Sequence, residues 1–258
     1  MAPPLRRKRP FCLASPQVPR HAAIPFHTEK HPNTDYYACY NTNTSERKWI
    51  GQNRALAIRQ LVTVQKLPAT SRASFTDIGK LNRISHENVV RPDCFYHVDG
   101  ELYIVYEFLY LDIFDLFPLQ EAAVACIVKQ TICGFRHLKD LEIFFGIDII
   151  QINEYGVVKI EVIDWNQDEF SVERSLHRAN EEYLVAYLQE LMAAMAQRCN
   201  DLPKTVSNFF IGSVLPDMGH DFIANVGGPE ILRERVISAI RRKLLGGGIK
   251  PFTCDPSI

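Results

Sequence analysis

Residues 86–108 read HENVVRPDCFYHVDGELYIVYEF, and this stretch decides what kind of chain follows. Two runs rich in aromatic and β-branched residues flank Asp99-Gly100, a pair that tolerates positive φ and so predicts a two-residue hairpin turn. Upstream, ALAIRQLVTVQ (55–65) has the composition of one or two strands. Between them SFTDIGKLNRIS (74–85) puts Phe75, Ile78, Leu81 and Ile84 on one face of an amphipathic helix of about three turns. The order strand, helix, hairpin predicts an antiparallel sheet in the first part of the chain.

Beyond the hairpin the period changes from two to 3.6. LQEAAVACIVKQTICGFRHLKD (119–140) spaces Ala122, Ala125, Cys126, Val128, Ile132, Phe135 and Leu138 as one long, mostly buried helix. INEYGVVKI (152–160) reads as a second hairpin around a glycine turn, and NEEYLVAYLQELMAAMAQR (180–198) as another buried helix. DMGHDFIANV and PEILRERVISAIRRKLL add two more. Strands first and helices later predict an α+β chain with two lobes, a small strand-rich one over 36–108 and a larger helical one over 109–258. The first 35 or so residues, basic and proline-rich without period, predict a disordered arm. Its RRKR at Arg6 to Arg9 reads as a nuclear-import signal or as a solvated tail.

Composition bounds the function. The chain has 258 residues, 47% of them hydrophobic, enough to bury a real core. A formal net charge of −1 gives no basic face of the kind nucleic acid or an anionic membrane needs, and no apolar run approaches the ~20 residues of a membrane span. Seven scattered cysteines (Cys12, Cys39, Cys94, Cys126, Cys133, Cys199, Cys254), without C-x-x-C spacing, read as reduced thiols of a cytoplasmic or nuclear protein.

The serial order of several short strings resembles a eukaryotic protein kinase domain of serine/threonine type, in flavour a divergent fungal one, over about residues 50–252. LAIR (56–59) resembles the strand that carries the ATP-binding lysine. DIGKLNRISHENVV (77–90) resembles the end of the regulatory helix with the segment after it, and LYIVYEF (102–108) the strand entering the hinge. INEYGVVKI resembles the hairpin between catalytic and metal-binding loops. LQELM, DFIANV and the closing LL…PF resemble helices of the large lobe. The resemblance implies a bilobal kinase-like fold, a signalling role inside the cell, and ATP with Mg as the expected ligands.

Phosphoryl transfer asks for a glycine-rich cover on the phosphates, a lysine paired to a glutamate, metal ligands and an aspartate near the substrate hydroxyl. Where the cover should be, NTNTSERKWIGQNRA has Gly51 alone. By resemblance the lysine position falls on Arg59, a broad planar fork in place of a compact ammonium, and its partner on Asp77. Lys66, seven residues beyond Arg59, would face the other side of a continuous strand. After FRHLKDLEI the chain reads FFGIDII, so the base position falls on Ile147 or, counted back from the hairpin, on Phe144; neither accepts a proton. Asp148 takes the base role only with a one-residue adjustment. The metal position falls on Val162, and a two-residue slip brings Asp164 there instead. Losing a positioned base alone costs roughly 10²–10⁴ in rate.

The shape of a nucleotide cleft survives in the resemblance. Ala57 would roof an adenine, Tyr106 stand at its back wall, Glu107 and Phe108 offer hinge main chain, and Asp112 meet a ribose. A dry cleft filled by Tyr106, Phe144 and Phe145 is the competing expectation. The expectation is therefore a pseudokinase, a binding, scaffold or regulatory module with protein partners, weak ATP and Mg binding at most, and no cofactor required. An active atypical serine/threonine kinase using Arg59, Asp77, Asp148 and Asp164 in shifted roles is one alternative, and a degenerate product without defined activity is the other.

Overall fold

A computed structural model describes residues 23–41, 48–55, 60–67, 75–141, 143, 149–161, 181–198, 209 and 215–245. Six strands, β1 (Phe26–Thr28), β2 (Tyr36–Asn41), β3 (Lys48–Asn53), β4 (Leu61–Lys66), β5 (Pro92–Val98) and β6 (Glu101–Glu107), make one mixed sheet in the order β1-β5-β6-β4-β3-β2. Only the β1–β5 pair is parallel. The β5–β6 turn has Asp99 at φ 52° and Gly100 at φ 77°, the positive pair that matches the right-handed twist of a hairpin.

The sheet is buried on both faces, which is why β5 and β6 read as nearly continuous apolar runs. On one face Tyr36, Trp49, Val62, Val64, Cys94, Tyr96, Tyr103 and Val105 form a separate cluster. On the other, Phe95, Ile104 and Tyr106 join the main core, which runs on into the helices. Residues 23–35, expected in an irregular arm, are in part ordered against the first face. β1 pairs with β5, His27 stacks on Tyr96 at 4.7 Å, and the Tyr96 hydroxyl donates to Asp35 at 2.6 Å.

Helix α1 spans Phe75–Leu81, shorter than the 74–85 expected. Ile84 still reaches the core, because Arg83 and Ile84 continue with tighter bonds to the carbonyls of Lys80 and Leu81. After β6 come β7 (Leu111–Asp112) and the 20-residue α2 (Glu121–Asp140), within the predicted 119–140. β7, β8 (Ile149–Ile152) and β9 (Val158–Glu161) form a second, antiparallel sheet. Its turn needs Gly156, at φ 85°, because a Cβ there would collide with the Pro229 carbonyl oxygen. Helices α3 (Glu181–Ala196), α4 (Asp221–Ala224) and α5 (Glu230–Leu245) complete the α+β architecture. Among the described residues no helix is long and apolar enough to cross a membrane.

The segment between α1 and β5 sews the two sheets together. Val90 donates to the Ile160 carbonyl at 3.0 Å and Ile160 to the Asn88 carbonyl at 2.9 Å. Asn88 Nδ2 donates to Gln130 Oε1 and to the Val158 carbonyl, both at 3.0 Å. Gln130 Oε1 also accepts from the Val158 amide at 3.0 Å, while its Nε2 donates to the Gly156 carbonyl at 3.3 Å. One buried glutamine thus holds α2, the 82–91 loop and the β8–β9 turn at once.

Candidate functional site

Side chains alternate along a strand, so the register of β3, β4 and β6 fixes what faces the helices. Lys48 lies opposite Gln65, Ile50 opposite Thr63, Thr63 opposite Tyr106, and Gln65 opposite Ile104. This is the face of the main core, and besides Thr63 three polar side chains stand on it, Lys48, Gln65 and Tyr106. The fourth member of the cluster comes from the second sheet: Glu161, at the end of β9. Lys48 Nζ donates to Glu161 Oε1 at 2.6 Å, with the two side chains 16% and 7% exposed.

Two polar atoms of the cluster are left over. The Tyr106 hydroxyl and Gln65 Oε1 are buried without a hydrogen-bond partner. Burial first, and the Glu161 carboxylate second, push the Tyr106 phenol well above its ordinary range. Tyr106→Phe removes an orphaned hydroxyl without opening a cavity, so it is expected to leave stability unchanged or raise it by about 1 kcal/mol in denaturant unfolding. A loss of more than that would mean the hydroxyl is satisfied.

A second ion pair ties the sheets a few residues away, Lys159 Nζ to Glu107 Oε1 at 2.7 Å. Beside it the β5–β6 register shifts between Pro92 and Cys94, and the extra residue is Asp93. Burial, then the Glu107 carboxylate, push the Asp93 carboxyl up to about 6 from its ordinary 3.8, with Arg91 and Lys159 pulling it down. A carboxyl raised in the folded state binds its proton more tightly there than in the unfolded chain. Its contribution to stability is therefore complete below about pH 4 and is lost as pH rises through about 6. Protein atoms crowd the Asp93 carboxyl, yet more than a third of the residue as a whole stays open to water, so solvent screening holds the effect below about 1 kcal/mol. Asp93→Asn is expected to raise the unfolding midpoint at pH 7.5 and leave it unchanged at pH 4. Equal effects at both values would remove Asp93 as the titrating group.

Of the residues singled out from sequence, Tyr106, Glu107, Phe108 and Asp112 are placed. Tyr106 is buried in the cluster just described, and Glu107 is in its ion pair. Phe108 meets Tyr110 edge-on at 4.7 Å. Asp112 caps a short 3-10 turn, accepting from the Phe114 amide at 2.7 Å while its own amide donates to Asp115 at 2.9 Å. Burial raises its carboxyl, and the Phe114 bond partly offsets this. Lys66 pairs with Glu101 at 3.3 Å on the opposite face from Gln65. Asp77 lies in α1. Ala57, Arg59, Asp148 and Asp164, like Phe144, Phe145, Ile147 and Val162, lie outside the described residues.

Lys48, Gln65 and Glu161 were not singled out from sequence. The available signal was a polar residue at an inward register position: Gln65 within LVTVQK, and Glu161 closing VKIE. Among the described residues no group of three or more His, Cys, Asp or Glu side chains gathers as for a metal ion. Chemically the cluster is a neutralised cation and anion beside one hydroxyl and one amide oxygen. It can bind and orient, and its one described carboxylate is engaged by Lys48. No protein-family model matches the chain, and no curated protein matches it.

Proposed function

We propose that the chain is a protein-kinase-like module that does not transfer phosphate and that acts through protein contacts, with weak nucleotide binding at most. The observation carrying this reading is the Lys48–Glu161 ion pair, which crosses from the sheet to the hairpin where the resemblance puts a nucleotide. The order of elements supports it: five strands meeting antiparallel, α1 between β4 and β5, a short connection after Glu107, then α2 and the β8–β9 hairpin. In this reading the strand next to β6 is β4, so the lysine role moves from the LAIR string into Leu61–Lys66. Gln65 is the inward residue there, and a neutral amide cannot replace an ammonium between phosphates. Lys48 then stands where the glycine-rich cover would pass, and its charge is already matched by Glu161. Asp115, bound by Lys243 Nζ at 2.5 Å, is engaged in fastening α5 to the turn after β7.

The test is radiolabel transfer from ATP with Mg to the chain itself and to a generic protein substrate. The expected result is incorporation no greater than with heat-denatured protein. Incorporation that Asp148→Asn or Asp164→Asn abolishes would replace this reading with an active atypical serine/threonine kinase.

A further inference from the structure

β1 and β2 are opposite edges of the six-stranded sheet, so the connection between them crosses the face of Tyr96 and Tyr103, the one turned away from the main core. Main-chain bonds hold this connection at both ends. The Glu29 amide donates to the His97 carbonyl at 2.8 Å, and the Asp35 carbonyl accepts from the Arg54 amide at 2.8 Å. Between them residues 30–34 are a strap, and two side chains fasten it. His31 caps the 3-10 turn Pro32–Thr34: its Nδ1 accepts from the Asn33 amide at 3.1 Å. Its ring meets that of Tyr103 edge-on at 4.9 Å, with Nε2 3.2 Å from the Tyr103 hydroxyl. Further on, the Asp35 carboxylate accepts from the Tyr96 hydroxyl at 2.6 Å and from Lys30 Nζ at 2.8 Å.

The two fastenings answer protons differently. A ring nitrogen that accepts from an amide carries no proton, so the bond to Asn33 exists only in neutral His31, with Nε2 donating to Tyr103. Protonation sets an N–H against the Asn33 N–H. Burial of the ring, joined by the Lys66 ammonium of β4, outweighs the Asp99 carboxylate of the β5–β6 turn, so His31 takes its proton below its ordinary 6.5. Lys66 is itself paired with Glu101 of β6. The stability contributed by the neutral ring is therefore complete above about pH 6.5 and is lost as pH falls through the lowered value. Burial keeps the Tyr103 hydroxyl protonated, against Lys66 and with Glu101 and Asp99. At Asp35 burial favours the neutral carboxyl, but the bonds from Lys30 and Tyr96, the Lys30 charge and His27, stacked on Tyr96, hold it below its ordinary value. Mild acid reaches His31 and leaves Asp35 ionised.

We propose that residues 30–34 are an acid-released strap: protonation of His31 undoes the capped turn and lifts the segment off Tyr103, while Asp35 stays fastened to Tyr96 as the hinge. Lifting uncovers Tyr103 and Pro32, both buried while the strap is down. The strap depends on neither a nucleotide nor the kinase-like reading of the chain.

The experiment is amide hydrogen exchange by NMR on the full chain at pH 7.5 and 5.5, corrected for the intrinsic pH dependence of exchange. Protection of the Thr34 amide, which donates to the His31 carbonyl at 3.0 Å, is expected to fall about fivefold at pH 5.5, the loss of one hydrogen bond. The Arg54 amide, bonded to Asp35, is expected to keep its protection. In His31→Asn, whose amide oxygen can cap the turn and takes up no proton, Thr34 is expected to be equally protected at both pH values, whatever the level. His27→Gln is expected to behave as wild type. Unchanged Thr34 protection in the wild type overturns the strap, as does a pH response that survives His31→Asn. Thr34 and Arg54 losing protection together would place the acid effect in the whole sheet and overturn it too. Ring-nitrogen shifts give a second reading that needs no variant: at pH 7.5 His31 is expected to show an unprotonated Nδ1, and a protonated Nδ1 contradicts the proposal.

Discussion

Lys48→Met is expected to cost about 3–5 kcal/mol of unfolding free energy, because it leaves the Glu161 carboxylate without the ammonium it meets at 2.6 Å. The size follows from the environment: Glu161 is 7% exposed, so water cannot take over the lost partner. The pair itself contributes far less than that loss, since bringing two charges out of water offsets most of their attraction. The double variant Lys48→Met, Glu161→Leu is accordingly expected to recover most of the stability, and a double-mutant cycle in urea reads the coupling directly. Additive losses in the double variant would mean that the two side chains do not depend on each other.

Gln130→Leu carries the second large expected loss, about 2–4 kcal/mol. Leucine fills much of the same volume but leaves the Val158 amide and the Gly156 carbonyl without their partners and removes one acceptor of Asn88. Because those groups belong to the hairpin and to the loop before β5, the loss falls on the junction of the two sheets rather than on α2 alone. Hydrogen exchange is expected to show faster exchange at the Val158 and Ile160 amides with the middle of α2 unchanged. Uniform acceleration along α2 would place the fault in the helix instead.

What the sequence announced, it announced through period and turn chemistry. Asp99-Gly100 closed a hairpin, Gly156 closed another, and the apolar spacing of 119–140 placed α2 to within two residues. β1 carried no such mark. It is three residues long, its bonds go to β5 in parallel, and its order comes from neighbours 69 positions away, such as Phe95 opposite Phe26. Local composition cannot carry that information.

The candidate site was legible where it is apolar and illegible where it is polar. Tyr106 was singled out only through the resemblance, as the back wall of a cleft. Lys48, Gln65 and Glu161 occupy inward positions that the binary pattern assigns to apolar residues, and such breaks are where local rules yield to a site. Asp112 has a local role that the resemblance did not bring out. The resemblance puts it beside a ribose, and in the fold its carboxylate caps the next turn.

The most direct test of the account is the affinity of the wild-type chain for ATP with Mg, measured by titration calorimetry on the full chain. In the proposed kinase-like reading, where Lys48 and Glu161 bridge the nucleotide cleft and Gln65 stands in place of a phosphate-binding lysine, the Kd is expected to be weaker than about 1 mM. Saturable binding in the micromolar range would contradict it, since the ion pair would then be no obstacle to a nucleotide.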